Sequence, residues 1–448
     1  MKPVDVLITV EHVDRELDAA TAVAYLLRTR FGLEVHVRNF YADYPLLMGV
    51  QPAVLAVPFF YFKGHSPMQE YLDRWPQAEV LNLAWEQILY KMNQTIKVPS
   101  DEVAKRKVWH VCWTREYRQF LEQLGVEPAR LFWTGNPVMK FYDAPYRGYF
   151  KDRNSLAYRY GLPGDAKWLL FPENYRWGFL SDNQIANFVT LGGRPEELRE
   201  ARAYCQRSLR EVLRWLRDAC EEKRLLVVLR PRPATSIAQI EAFARDALGE
   251  IPSNLRIIKG ESAREWIIAA DHVMSSYSTT LIEASLCDKP VHLVSPEPLP
   301  DGLQDDWYDK LPWIVTQDEL VRAAAQPVPS ALGAELGAWA RSRLLGNGDP
   351  IVNIAVTLAS LHPRYKGRDL NRLQSIASGA PTNAYRRPSA ISRWLDERRT
   401  RRMHSLRYQA MLAKRHPGYS FTLQKHEKDL FSSQDVHRRM EAWRRVAG

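Results

Sequence analysis

Residues 225–236, LLVVLRPRPATS, decide the reading of the chain. A short apolar run closed by a turn signal reads as a buried strand of a parallel sheet. It ends in Arg230-Pro231-Arg232-Pro233, and a helix is expected to start near Ser236. The two prolines stiffen the turn and splay the arginines off the strand. In open α/β sheets ligands bind outside the carboxyl ends of the strands. Guanidinium forks placed there suit phosphate or carboxylate, because they make paired charge-assisted hydrogen bonds.

A second strand end follows at 271–285, DHVMSSYSTTLIEAS. Ser275, Ser276, Ser278 and Thr279 bring hydroxyls to a helix start, and Glu283 lies about one turn into the helix. Such a start gathers anions, although Ser/Thr caps with an early Glu are also ordinary helix chemistry. Glu173 and Asn174 close the strand KWLLFP (167–172) and belong to the same row of strand ends.

Working outward, strand and helix signals alternate along most of the chain. VDVLITV (4–10), LEVHVRNF (33–40), AVLAVPFFYF (53–62), AEVLNLAW (78–85), KVWHVCW (107–113) and RLFWTG (130–135) read as strands with helical stretches between them. The rhythm breaks at 143–165, which is rich in Pro, Gly and charge, and then restarts. The pattern predicts an α/β fold with two Rossmann-like domains facing a cleft. Their expected extents are 1–145 and 146–362, the last helix of the second crossing back to the first. Residues 363–448 are expected as a basic, mainly helical tail.

The charge supports that division. The net charge of +10 comes from the end of the chain, where residues 364–448 hold 20 Lys+Arg against 7 Asp+Glu. Arginine pairs there, among them Arg386-Arg387, Arg398-Arg399, Arg401-Arg402, Arg438-Arg439 and Arg444-Arg445, alternate with Trp394, Tyr408, Phe421, Phe431 and Trp443. Ile391, Trp394, Leu395, Leu406 and Met411 form a thin apolar face. This composition suits an anionic membrane surface; nucleic acid is not expected as a partner. With 46% hydrophobic and 25% charged residues the chain is neither disordered nor fibrous. Cys112, Cys205, Cys220 and Cys287 have no CxxC spacing and read as free buried thiols. The apolar stretch before Glu11 is too short for a secretory signal. A cytoplasmic protein with peripheral contact at the inner membrane face is expected.

A strand ending in basic-Pro residues, then a Ser/Thr-rich turn before a helix with Glu, resembles the nucleotide-binding domain of GT-B-fold glycosyltransferases. It is most similar to those building bacterial capsule and other surface polysaccharides, including Kdo-type CMP-sugar transferases. The Ser-Ser pair of that family matches Ser275-Ser276. In sialyl-, Kdo-type and glycerophosphate-polymer transferases the first motif is usually His-Pro, and Arg232-Pro233 stands in its place here. The amino-terminal half also resembles surface-carbohydrate biosynthesis proteins, through VEHVDRELDA (10–19), LNLAWEQI (81–88), KVWHVCW (107–113), FWTGNPVM (132–139) and LLFPENYRWGF (169–179). The likeness covers about 1–360.

The resemblance implies a nucleotide-sugar donor, a CMP-linked acidic sugar such as CMP-Kdo being preferred, and a glycan or glycolipid acceptor. Arg230, Arg232, Ser275, Ser276, Ser278, Thr279, Glu283, Glu173 and Asn174 would bind the donor. Glu11, Asp14, Glu16 and Asp18 follow the first strand, and one of them would serve as the catalytic carboxylate. Read without the resemblance, they are a helix N-terminal charge cluster. Trp85, Glu86 and His110 are acceptor-side candidates, although a lone His on a strand is more often part of the core. No DxD-like acidic pair sits at a convincing strand end, and arginines with a helix dipole can neutralise the departing nucleotide, so no metal and no cofactor is expected. A nucleotide-sugar 2-epimerase, a glycerophosphate transferase and a non-catalytic assembly protein remain as alternatives.

Overall fold

The computed structural model describes residues 2–43, 47, 49–64, 67–95, 97–190, 192–222, 224–233, 235–383, 385, 389–403, 405, 408, 410–411 and 429–447. Arg386, Arg387, Leu406 and Phe421 of the basic tail lie outside them. The chain divides into two compact units. The first comprises Met1–Gln87, Val98–Tyr149 and Arg343–Gly448, and the second Ile88–Lys97 and Phe150–Ser342.

The first unit is built on six strands: β1 (Lys2–Val10), β2 (Val35–Asn39), β3 (Val50–Val57), β4 (Glu79–Asn82), β5 (Trp109–Cys112) and β6 (Leu131–Trp133). Their order is β2-β1-β3-β4-β5-β6, and every pairing is parallel. Helices cover both faces, so β1 and β3 end in fully buried Val-, Leu- and Ala-rich runs. The apolar run 53–62 does not continue as strand beyond Val57. Pro58 lacks the N–H that the ladder needs, and Phe59 and Phe60 instead fill the core beside Phe40 and Tyr71.

Helix Pro350–Leu361 packs in this unit against Asp18–Arg30 and β3. Its start is fixed by Asp349, whose carboxylate accepts from the Ile351 and Val352 amides and from Tyr146 Oη. A close approach precedes it. A Cβ on Gly135 (φ +78°) would lie 2.4 Å from Leu345 O, so this junction admits only glycine.

The carboxyl-terminal segment is part of the same unit. Trp443, on helix Ser433–Ala447, is 1% exposed. It stacks on Tyr149 with ring centroids 3.9 Å apart, lies against Phe141, and donates its indole N–H to Thr21 Oγ1. Phe431 is buried as well. Two of the aromatics read from sequence as membrane-facing are therefore core residues. On helix Ala390–Met403 the outcome differs, for Ile391, Trp394 and Leu395 are exposed, as is Met411 beyond it. Among the described residues no helix is long and apolar enough to cross a membrane.

The second unit carries β7 (Lys167–Pro172), β8 (Leu225–Arg230), β9 (Leu255–Ile257), β10 (His272–Ser275), β11 (Val291–Val294) and β12 (Trp313–Ile314). Their order is β12-β11-β10-β7-β8-β9, again all parallel. The 25-residue helix Pro195–Ala219 covers one face. Pro195 at its first turn and Glu196-Glu197 behind it favour the start, and Leu198, Ala201, Cys205, Leu209, Val212 and Leu216 bury one stripe. Each sheet reverses direction once, between β1 and β3 in the first unit and between β7 and β10 in the second. Those reversals are where doubly wound sheets open a ligand crevice.

Candidate functional site

At the β7/β10 reversal, Glu173 directly follows β7 and is 2% exposed. Its carboxylate accepts from the Tyr175 amide at 2.5 Å and from the Arg232 amide at 3.3 Å, which joins the ends of β7 and β8. Lys259 Nζ donates to Pro233 O and Thr235 O at 3.0 and 2.6 Å, bracing the turn from the β9 side. Arg230 is 3% exposed and turned inward, donating to Pro231 O at 3.3 Å and to Glu261 O at 2.6 Å. Glu261 itself has φ +64°, a conformation that costs a non-glycine residue about 1 kcal/mol. The Arg230 bond helps to hold it there.

The two arginines therefore separate. Arg230, read from sequence as a donor ligand, donates instead to main-chain carbonyls, Pro231 in the turn and Glu261 in the loop after β9. Arg232 is half-buried, and its guanidinium makes no hydrogen bond or ion pair among the described residues. The backbone beneath it is held by Glu173, Arg230 and Lys259 together. A cation on a pinned turn is preorganised for an anion.

The serine turn divides in the same way. Ser275 and Ser276 are fully buried, and Ser275 Oγ donates to Pro172 O at 2.5 Å, bonding β10 to β7. Ser278 Oγ bonds Thr280 Oγ1, Asn174 Nδ2 donates to Tyr277 O, and Thr279 is exposed. Glu283 is half-buried on the helix Thr280–Ser285. Behind them, Tyr277 packs among Tyr175, Tyr204 and Tyr90. Asp305, in the loop after β11, is pushed up to about 6 by burial.

In the first unit the strand ends gather acids, an imidazole and one arginine. Arg15 bonds Glu16 at 2.6 Å and also Glu86, and lies 3.6 Å from Glu11. Glu16 is fully buried and accepts the Glu11 amide at 2.8 Å. Burial drives its pKa up, against the pull of Arg15. The Tyr41 and Tyr61 hydroxyls are held neutral by burial and by these carboxylates. Ala84, just before Trp85 and Glu86, has φ +46° and is held by Asn82 Oδ1. The Trp85 indole N–H is buried without a partner among the described residues.

The other amino-terminal candidates sort as follows. Asp18 is buried and paired with Arg439 at 3.0 Å and with Tyr149 Oη at 2.9 Å, a structural bond to the carboxyl-terminal helix. Asp14 is half-buried. His110 is 0% exposed; Nδ1 accepts from Asn82 and Nε2 donates to Ala104 O, and burial lowers its pKa to about 4. It is a satisfied core histidine, out of reach of an acceptor.

Besides His12, two further residues absent from the sequence-based set belong here. Asp429, 417 residues from His12, accepts its Nδ1 at 2.9 Å and the Val13 amide at 3.2 Å. Asn39 holds the Asp429 carbonyl. The pair orients the imidazole with Nε2 on the Glu11 side, 3.7 Å from that carboxylate. Lys259 is the second, and its place at the end of β9 was the signal available in the sequence.

No protein-family model matches the chain, and no curated protein matches it by sequence. Solved structures do. A Listeria monocytogenes protein assigned to the UDP-N-acetylglucosamine 2-epimerases superposes with a TM-score of 0.50 at 12% identity, over 83% of this chain and 98% of that one. The Staphylococcus aureus MnaA–UDP co-structure gives 0.50 and 12%, over 81% and 96%. The wall teichoic acid polymerase TagF gives 0.52 and 12%, over 79% and 88%. At such identity the likeness is one of fold: two Rossmann-like units of the GT-B type, with a helical carboxyl-terminal region.

Proposed function

We propose that the chain is a glycosyltransferase that moves a sugar from a nucleotide-activated donor to a surface polysaccharide or its lipid-linked precursor. The observation that carries this is Arg232, a bare guanidinium on a braced turn at the sheet reversal of a Rossmann-like unit. It would hold the donor phosphate, with Asn174, Ser278, Thr279 and Glu283 around it, while Arg230, Glu173 and Lys259 keep the turn in place. The bond from the anomeric carbon to the phosphate oxygen breaks, and the nucleotide leaves with the electron pair. Arg232 offsets that charge, which makes the proposal metal-independent. Activity lost to EDTA and restored by Mg²⁺ would contradict it.

The acceptor hydroxyl forms the new bond and must lose a proton. His12, oriented by Asp429, is the proposed base, with Glu11 stabilising the imidazolium. Glu16 and Asp18 hold the segment rather than react. A CMP-linked acidic sugar is retained as the preferred donor, with Arg232-Pro233 in place of His-Pro. Peripheral contact of the exposed Ile391, Trp394, Leu395 and Met411 with an anionic membrane is part of the same reading. The cluster of Glu11, Glu16, Glu86 and His12 also suits proton transfer at a sugar carbon, so 2-epimerisation is the second reading. Incubation with a nucleotide sugar and no acceptor separates them, since only an epimerase then converts it.

A further inference from the structure

We propose that the cavity along the free edge of β2 is a second anion site, one that takes a phosphate-bearing group. The cavity measures about 720 Å³ and lies between β2 and the helices Ala390–Met403 and Ser433–Ala447, all in the first unit. Lys2, Arg28, Arg38, Arg398, Arg399 and Arg402 line it, against one lining carboxylate among the described residues, Asp396. The helical repeat produces this arrangement. Leu395, Arg398, Arg399 and Arg402 stand three, four and seven residues apart and so share a face.

The positive charge there is thinly compensated. Arg38 reaches Asp396 at 3.5 Å and Ser433 Oγ at 2.5 Å, and Arg28 gives one N–H to Val35 O at 2.5 Å. Lys2 pairs with Glu34 at 2.7 Å at the rim. The Arg399 and Arg402 guanidinium groups make no hydrogen bond or ion pair among the described residues. Burial pulls the Arg28 guanidinium below its ordinary value against the opposing pull of Tyr385 and Glu34, with Arg38 adding to the fall. Several planar forks converging on one space ask for a ligand with several anionic oxygens, as a pyrophosphate or phosphodiester has.

Exposed Ile391 and Trp394 lie on the same helix just before the arginines, so the phosphate would be either a free anion or a lipid head group. The site does not depend on the transferase reading; with a lipid it gives the membrane contact proposed above a definite head-group site. The test uses the full chain carrying Arg232→Ala, which removes the proposed nucleotide site from the measurement. That protein is titrated with inorganic pyrophosphate and floated with phosphatidylcholine vesicles with and without phosphatidylglycerol. Both measurements are repeated after adding Arg399→Glu and Arg402→Glu, two exposed positions at which the melting temperature should not change. The charge reversal should weaken binding at least about tenfold. Charge-dependent binding of pyrophosphate alone assigns a free anion, and of phosphatidylglycerol vesicles a lipid head group; either supports the site. No binding of either probe, or equal binding by the charge-reversed protein, overturns it.

Discussion

Asp429 and His12 are 417 residues apart in the chain, yet the carboxylate accepts the imidazole Nδ1 at 2.9 Å and the next backbone amide at 3.2 Å. The carboxyl-terminal segment thereby completes the end of β1, which makes it part of the proposed site as well as of the fold. An imidazole fixed in this way donates from Nδ1 and would take a proton at Nε2, on the Glu11 side.

Asp429→Asn should preserve the fold and cut turnover of the nucleotide sugar roughly 10²- to 10³-fold, the range of a general-base contribution. The amide can neither hold the Nδ1–H tautomer as the carboxylate does nor offset the charge the base acquires, so the loss should fall on kcat with KM little changed. A purely structural role would lower the melting temperature and leave kcat per folded molecule unchanged.

Arg230 and Arg232 should separate cleanly. Arg230→Ala leaves the Glu261 carbonyl without its buried donor and should cost about 1–3 kcal/mol in urea unfolding. Arg232→Ala breaks no recorded side-chain bond among the described residues and should leave stability unchanged.

Trp443→Ala removes a ring stacked on Tyr149 at 3.9 Å and should destabilise the first unit by about 3–5 kcal/mol. A free tail would show no change. Denaturant unfolding monitored by the remaining tryptophans distinguishes the two.

Asp305, raised to about 6 by burial, contributes stability that is present below the ordinary carboxylate range and lost as pH rises through 6. Since Asp305 is partly exposed, the loss should be about 1–2 kcal/mol by pH 8 after solvent screening. Asp305→Asn should flatten the stability profile between pH 4 and 8.

The fold was largely legible because buried parallel strands announce themselves as short apolar runs closed by turns. KWLLFP is a strand to the residue, 167–172, and the run read over 225–233 is a strand that stops at Arg230, before the two prolines. The site was legible only in part, since a sequence shows which residues stand at strand ends and not where their side chains turn. Arg230 and Arg232 are alike in sequence and two residues apart, which strand alternation would place on one face, but the strand stops at Arg230, whose side chain turns to the Glu261 carbonyl. His110 had the residue type of a base and the environment of a core. Asp429 carried no local signal at all, because its partner is supplied by β1.

The most direct measurement is a thermal-shift screen of the full chain against CMP, CDP, UDP, GDP and ADP, repeated on Arg232→Ala. A nucleotide at about 100 times its Kd stabilises the native state by ~2.7 kcal/mol, a readable shift. Stabilisation by one nucleotide, weakened about 10- to 100-fold in Arg232→Ala, is the expected result. The same shift in both proteins, or none with any nucleotide, would contradict a donor site at Arg232.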